Sequence, residues 1–205
     1  MKNKKLYAAL VAGTLAVSMM GTTVMAAAPT APSGDTNFIY NSGWSGPTDP
    51  VDPGTEDTNP NNWMVNYPKT IELTEDNLAD AVGQASTKGE ALTFVVKQRV
   101  PGASADGAVT ADNVGAGISV KPSADGWDSG TDITMTGSAG AAGSVVMSLA
   151  NSDTSAFLNP DQEMLRLTNT TTTNKGYAVV TNNSAAVDGA TYTKTVTFTF
   201  TRETT

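Results

Sequence analysis

The segment Thr191-Tyr192-Thr193-Lys194-Thr195-Val196-Thr197-Phe198-Thr199-Phe200-Thr201-Arg202 places threonine at every second position and a different set of side chains between. Successive side chains of a strand point to opposite faces, so a period this regular predicts a half-buried β-strand. Val196, Phe198 and Phe200 are then core residues, and the threonines form the outer face. Threonine suits strands and tolerates water, which accounts for that face without a ligand. A flat binding ladder or a fibre-forming edge is the sharper reading of the same row.

Working upstream, the same logic finds more strands. Ile71 and Leu73 alternate with polar residues in Thr70–Thr74, and Leu92, Phe94 and Val96 form another inward set. Further candidates are Gly117–Val120, Asp132–Thr136, Ser144–Leu149, Met164–Thr168 and Tyr177–Thr181, separated by Gly, Asn, Asp and Ser clusters. Many short strands with turn signals between them predict a mainly β, single sandwich-like domain over 63–205. One helix is expected after Thr74: Thr74 caps it, Glu75 and Asp76 suit its positive end, and Leu78, Ala81, Val82 and Ala85 fall on one face, with Gly89 just beyond. Asn159-Pro160-Asp161 predicts a second helical turn, with Asn as cap and Pro in first position.

The whole chain has 205 residues, 16% of them charged, a net charge of −8, and neither histidine nor cysteine. No disulfide framework, thiolate nucleophile, Cys/His zinc site or imidazole base is therefore available. The acidic balance argues against nucleic acid as a partner. Scattered acids (Asp80, Glu90, Asp106, Asp112, Asp125, Asp128, Asp132) sit mostly beside Gly or Ser and read as turn formers rather than acid–base pairs. No nucleophile elbow, Ser-x-x-Lys helix start or phosphate-cradling loop is present, so no catalytic residue and no cofactor is expected.

The N-terminus reads as a delivery signal. Lys2, Lys4 and Lys5 precede an apolar stretch from Leu6 to Met25, and Val24 and Ala26 supply the small residues of a cleavage site before Ala27. This is the order of a secretory signal peptide over 1–26. Its removal takes three lysines and no acid, which moves the charge from −8 to −11. No later stretch reaches the roughly 18 apolar residues that cross a bilayer as a helix, so no membrane span is expected after cleavage.

Residues 27–62 read as a disordered Pro/Asp/Thr-rich linker, because the stretch from Pro47 to Pro60 has a single aliphatic residue and no positive charge. Such a segment buries too little apolar surface to offset its ordering entropy. Asp49, Asp52, Glu56 and Asp57 are oxygen donors, but without the spacing of a calcium loop. Within the linker, residues 37–44 break the pattern with Phe38, Ile39, Tyr40 and Trp44. This patch is expected either to fold back as a first strand or to be offered to another chain by strand addition. Trp63 and Trp127, with Tyr67 and Tyr177, would stack on sugar rings if exposed together; the plainer reading of the loop residue Trp127 is cover for the core.

Taken in order, the leader, the Asn37-Phe38-Ile39-Tyr40-Asn41 patch, the Thr48-Asp49-Pro50-Val51-Asp52-Pro53-Gly54 linker and the Trp63-Met64-Val65-Asn66-Tyr67-Pro68-Lys69-Thr70-Ile71 segment form a recognisable series. With the Tyr-x-x-x-Val-x-Phe-x-Phe final strand, they resemble small secreted surface proteins of Gram-positive bacteria found among and around the WxL-type cell-wall proteins. The resemblance implies an all-β domain held non-covalently at the cell wall, with roles in adhesion or surface assembly. The chain departs from the family at Phe198-Thr199-Phe200, where a WxL domain has its C-terminal Trp-x-Leu, and no binding residue is carried over. The expected function is non-catalytic adhesion or surface binding, with cell-wall polymer or surface proteins as partners. The alternatives are an extracellular fibre or biofilm-matrix subunit that self-assembles by strand addition, and a carbohydrate-binding module. The candidate contacts are Phe38, Ile39, Tyr40, Trp44, Trp63 and Trp127.

Overall fold

The computed structural model describes residues 33–41, 53–56, 63–79, 85–98, 108–151 and 156–203. All lie within a compact unit running from Ala31 to Thr205. The leader at 1–26, Trp44 and most of the expected linker fall outside the described residues.

The fold is mainly β, and the threonine-patterned segment is its organising strand, β11 (Thr191–Glu203). Tyr192, Val196, Phe198 and Phe200 are fully buried, as the period of two requires. One edge of β11 pairs antiparallel with β1 (Ser33–Asn41), from Ser33 opposite Thr199 to Asn41 opposite Thr191. Its other edge is shared: β7 (Ile133–Gly137) pairs at Tyr192 and Thr193, and β6 (Gly117–Ser123) pairs from Thr197 to Glu203. Beyond β7 the sheet continues through β8 (Ser144–Ala150), β10 (Thr173–Asn182), β5 (Glu90–Gln98), β3 (Trp63–Pro68) and β2 (Pro53–Glu56). On the far side of β1 lies β4 (Thr70–Leu73), paired in parallel. The short β9 (Leu165–Leu167) adds to β6.

Connectivity makes this sheet curl. β3 and β4 are separated in the chain by Lys69 alone, yet they lie near opposite ends of the pairing order. The sheet therefore wraps round its apolar face until it nearly closes, and β1 is the strand that joins β4 to β11. Two bonds from β1 hold the corner: the Asn37 amide donates to Lys69 O at 2.9 Å, and the Thr36 hydroxyl donates to Pro68 O. The segment at 33–41 is thus a strand folded back into its own domain, the plainer of the two expectations for the apolar patch.

The core is continuous and aromatic at its centre. Phe94 on β5 meets Phe198 edge-on at 5.1 Å and Phe200 at 6.3 Å, while Tyr67 on β3 lies 5.8 Å from Phe200. Such tilted contacts suit the ring quadrupoles. The inward sets on β4 and β5 are buried at Ile71, Leu73, Leu92, Phe94 and Val96, as alternation predicts.

The expected helix after Thr74 is corrected. Its start forms: the Thr74 hydroxyl accepts from the Asp76 amide at 3.3 Å, and Asn77 Oδ1 accepts from the Thr74 amide at 2.8 Å. It stops after one 3-10 turn, Glu75–Asn77. Leu78 then turns extended (φ −72°, ψ 119°) and bridges in parallel to Val180, while the Ala79 amide donates to Val180 O at 2.9 Å. An available strand edge satisfies the backbone and buries Ala79, which outweighs a helix whose apolar stripe is mostly alanine and valine. A single helical turn, α1 (Ala85–Lys88), follows and ends at Gly89, whose amide donates to Ala85 O. The only other α-helical turn among the described residues is α2 (Ala111–Val114).

The turn at Asn159 also stays short. Gln162 Oε1 does accept from the Asn159 amide at 3.1 Å, as a helix start would have it. Asp161, however, sits at φ +58°, and a left-handed residue cannot continue a right-handed helix.

Candidate binding face

The aromatic residues singled out from the sequence mostly turn inward. Phe38, Trp63 and Trp127 all belong to one buried cluster, with Trp63 at 2% and Trp127 at 3% exposure. The Ala124–Gly130 loop folds to cover the core: the Trp127 amide donates to Ala124 O, and its indole N–H donates to Gly130 O at 3.0 Å. Gly126 and Gly130 take positive φ in this turn, where a side chain would strain the backbone. Lys194 on β11 fastens the loop by donating to Asp125 O at 2.6 Å. Neither indole is presented to solvent, so the stacking of Trp63 and Trp127 on sugar rings gives way to core cover. The Trp63 indole nitrogen is buried with no partner among the described residues. Ile39 and Tyr40 are placed by backbone register alone, opposite Thr193 and Tyr192 on β11 and Glu72 and Leu73 on β4.

The outer face of β11 itself is polar. Residues directly opposite on paired strands share a face. Thr193, Thr195, Thr197 and Thr199 on β11 are therefore flanked by Asp35 and Asn37 on β1, Thr136 on β7, and Lys121 and Ser123 on β6. Two of these threonines bond across to β1: Thr195 Oγ1 donates to Asn37 Oδ1 at 2.8 Å, and Thr197 Oγ1 donates to Asp35 Oδ1 at 2.6 Å. The outcome is a hydroxyl-rich surface with donors and acceptors at the spacing of the strands. Sequence reading missed Asp35 and Asn37 as part of it. The signal was the alternation Ser33-Gly34-Asp35-Thr36-Asn37-Phe38, polar outward and compact inward, hidden by a composition that reads as linker.

A second polar feature lies where β9, β6 and the end of β11 meet. Arg166 pairs with Glu163 at 2.9 Å and with Glu203 at 2.6 Å. Burial pushes the Glu163 carboxyl up, but the hydrogen bond from Arg166, with the charges of Arg166 and Lys121, outweighs it and holds the group below its ordinary value. The Glu163 hydrogen bond leads in holding the Arg166 guanidinium above its own. Elsewhere, burial pushes the Glu90 carboxyl up. The Arg166 cluster is exposed by a third or more at each side chain, and such pairs fasten strands weakly. Among the described residues, no group of three or more Asp, Glu, His or Cys is placed to hold a metal ion, and no helix is long and apolar enough to cross a membrane.

No family model, curated protein or solved structure matches this chain.

Proposed function

We propose that the chain is a secreted, cell-wall-associated surface module that binds wall polymer or a surface protein and performs no catalysis. The observation that carries the binding part is the outer face of β11, a row of threonines bordered by Asp35, Asn37 and Lys121. Ligands rich in hydroxyl and amide groups match such a face through hydrogen bonds spread over several strands. The export part rests on the lysine-led leader with its small-residue cleavage site, and on the likeness to WxL-associated surface proteins. A role for Trp63 and Trp127 as sugar platforms is left out, because both rings are buried.

The test is a pull-down of the mature chain, from Ala27, with purified Gram-positive peptidoglycan and with whole cells over a salt series. Retention that survives high salt is expected, since an acidic chain is not drawn to anionic wall polymers by charge. Thr136→Val with Thr193→Val, two exposed positions paired on adjacent strands, removes two hydroxyls while keeping β-branched side chains and should reduce retention without unfolding the sheet. A mature chain that stays in the supernatant at every salt concentration overturns the reading.

A further inference from the structure

We propose that β1 is an exchangeable strand, and that copies of this chain assemble by lending Ser33–Asn41 to the slot between β11 and β4 of a second copy. This goes beyond the wall-binding proposal and does not depend on it.

The first argument is topological. β1 is the first strand of the compact unit, and both its neighbours are distant in sequence. Among the described residues, β4 pairs with no strand but β1, and β11 from Thr191 to Thr199 has no other partner on that edge. Removing β1 opens the sheet along two edges at once and uncovers the core over Phe38. The slot must be filled, yet nothing in its geometry requires the filling strand to come from the same chain. An identical strand from a neighbour restores every contact, which is why exchange of a terminal element is a low-cost route to assembly.

The slot also reads the sequence of its occupant. A Cβ at Gly34 would stand 2.2 Å from the ring of Tyr67, so any larger residue there must displace that buried ring. Asp35 and Asn37 accept from Thr197 and Thr195 on the outer face, while Thr36 is fully buried and bonds Pro68 O. Phe38 fills the core at zero exposure. Five consecutive residues are matched, so the fitting occupant is this same segment from a second copy rather than an arbitrary extended peptide.

The connector has length to spare. Eleven residues, 42–52, join β1 to β2, and an extended chain of that length reaches roughly 40 Å. Asn41 follows Tyr40, which is opposite Leu73, and Pro53 is opposite Pro68. The span within one copy is therefore the length of β4 and its corner plus two strand spacings, about 30 Å at most. The connector also carries Gly43, Gly46, Pro47 and Pro50, the composition of a spacer. Because the donated strand and the receiving slot are different surfaces, repeated exchange is head-to-tail and yields an open chain of copies unless a ring closes.

The absence of cysteine makes the test direct. Asn37→Cys and Thr195→Cys are made in separate mature chains, one carrying a tag that separates the two on a gel. Both positions are exposed and directly opposite in the β1–β11 register. The chains are unfolded together in denaturant, refolded at high concentration, and oxidised. Exchange predicts a mixed disulfide at the mass of one tagged plus one untagged chain, forming in preference to either like pair. The double variant Asn37→Cys/Thr195→Cys predicts a ladder of cross-linked copies at high concentration and a closed monomer at low. As a second readout, excess synthetic peptide Ser33–Asn41 should cap growing chains and lower the mean size of the unaltered protein by light scattering, whereas the same peptide with Gly34→Val should not. A double variant that closes only within single chains at every concentration, together with no mixed disulfide and no effect of the peptide, overturns the proposal.

Discussion

Phe198→Ala tests the inward–outward parity on which the fold rests. Phe198 is fully buried and meets Phe94 edge-on at 5.1 Å. Its two partners in register are Gly34 on β1 and Pro122 on β6. A glycine has no side chain to lean into the vacated space, and a proline ring cannot rotate into it. The cavity therefore stays open, and the loss belongs toward the top of the 3–5 kcal/mol range for such truncations, about 4–5 kcal/mol. A domain of this kind has a total stability of roughly 5–15 kcal/mol, so the variant is left marginal. The assay is urea unfolding of the mature chain followed by circular dichroism. With a slope of about 2 kcal/mol per molar urea, the midpoint should fall by about 2 M. Thr193→Ala, five residues away on the exposed face, is the control and should stay within about 0.5 kcal/mol. A loss below about 1 kcal/mol at Phe198, or an equal loss at Thr193, refutes the reasoning, because a one-residue slip of register exchanges the two faces.

Gly34→Ala forces a methyl against the ring of Tyr67, a buried side chain with little room to move, and should cost about 1–3 kcal/mol in the same assay; combining it with Tyr67→Leu should recover part of that loss, and independent, additive losses would show that the contact is not the cause. The Glu163 carboxyl is held below its ordinary value of 4.5 in the folded chain, so its contribution is present above that value and is lost as the pH falls through the lower folded value. Glu163→Gln should therefore flatten the acid side of the stability–pH curve by a small amount, since the pair is partly exposed; a variant curve parallel to the unaltered one below pH 4.5 would remove the argument.

Strand identity was legible wherever a single strand carries its own pattern. β4, β5 and β11 bury the residues that alternation selects, because the side-chain period of two is a property of the extended backbone and needs no knowledge of neighbours. The helix after Thr74 was legible only at its cap. Thr74 and Asn77 form the expected bonds, but whether the chain continues depends on what lies beside Leu78, and that is Val180 from another part of the sequence. The sugar-stacking reading of Trp63 and Trp127 gave way for a related reason. An indole in a glycine-rich loop is free to face either way, and the direction of Trp127 was decided by the carbonyl of Gly130 and the core beneath it.

The β character of this protein, the inward residues of most strands and the glycine-marked turns follow from local backbone preference and short-range periodicity. The closing of the sheet by Ser33–Asn41 does not. The bond between Asn37 and Thr195 joins residues 158 apart in the chain. No local propensity encodes such a pairing: the polar composition of the segment favours solvent, and its place in the sheet comes from the two open edges of β4 and β11 and the core vacancy that Phe38 fills.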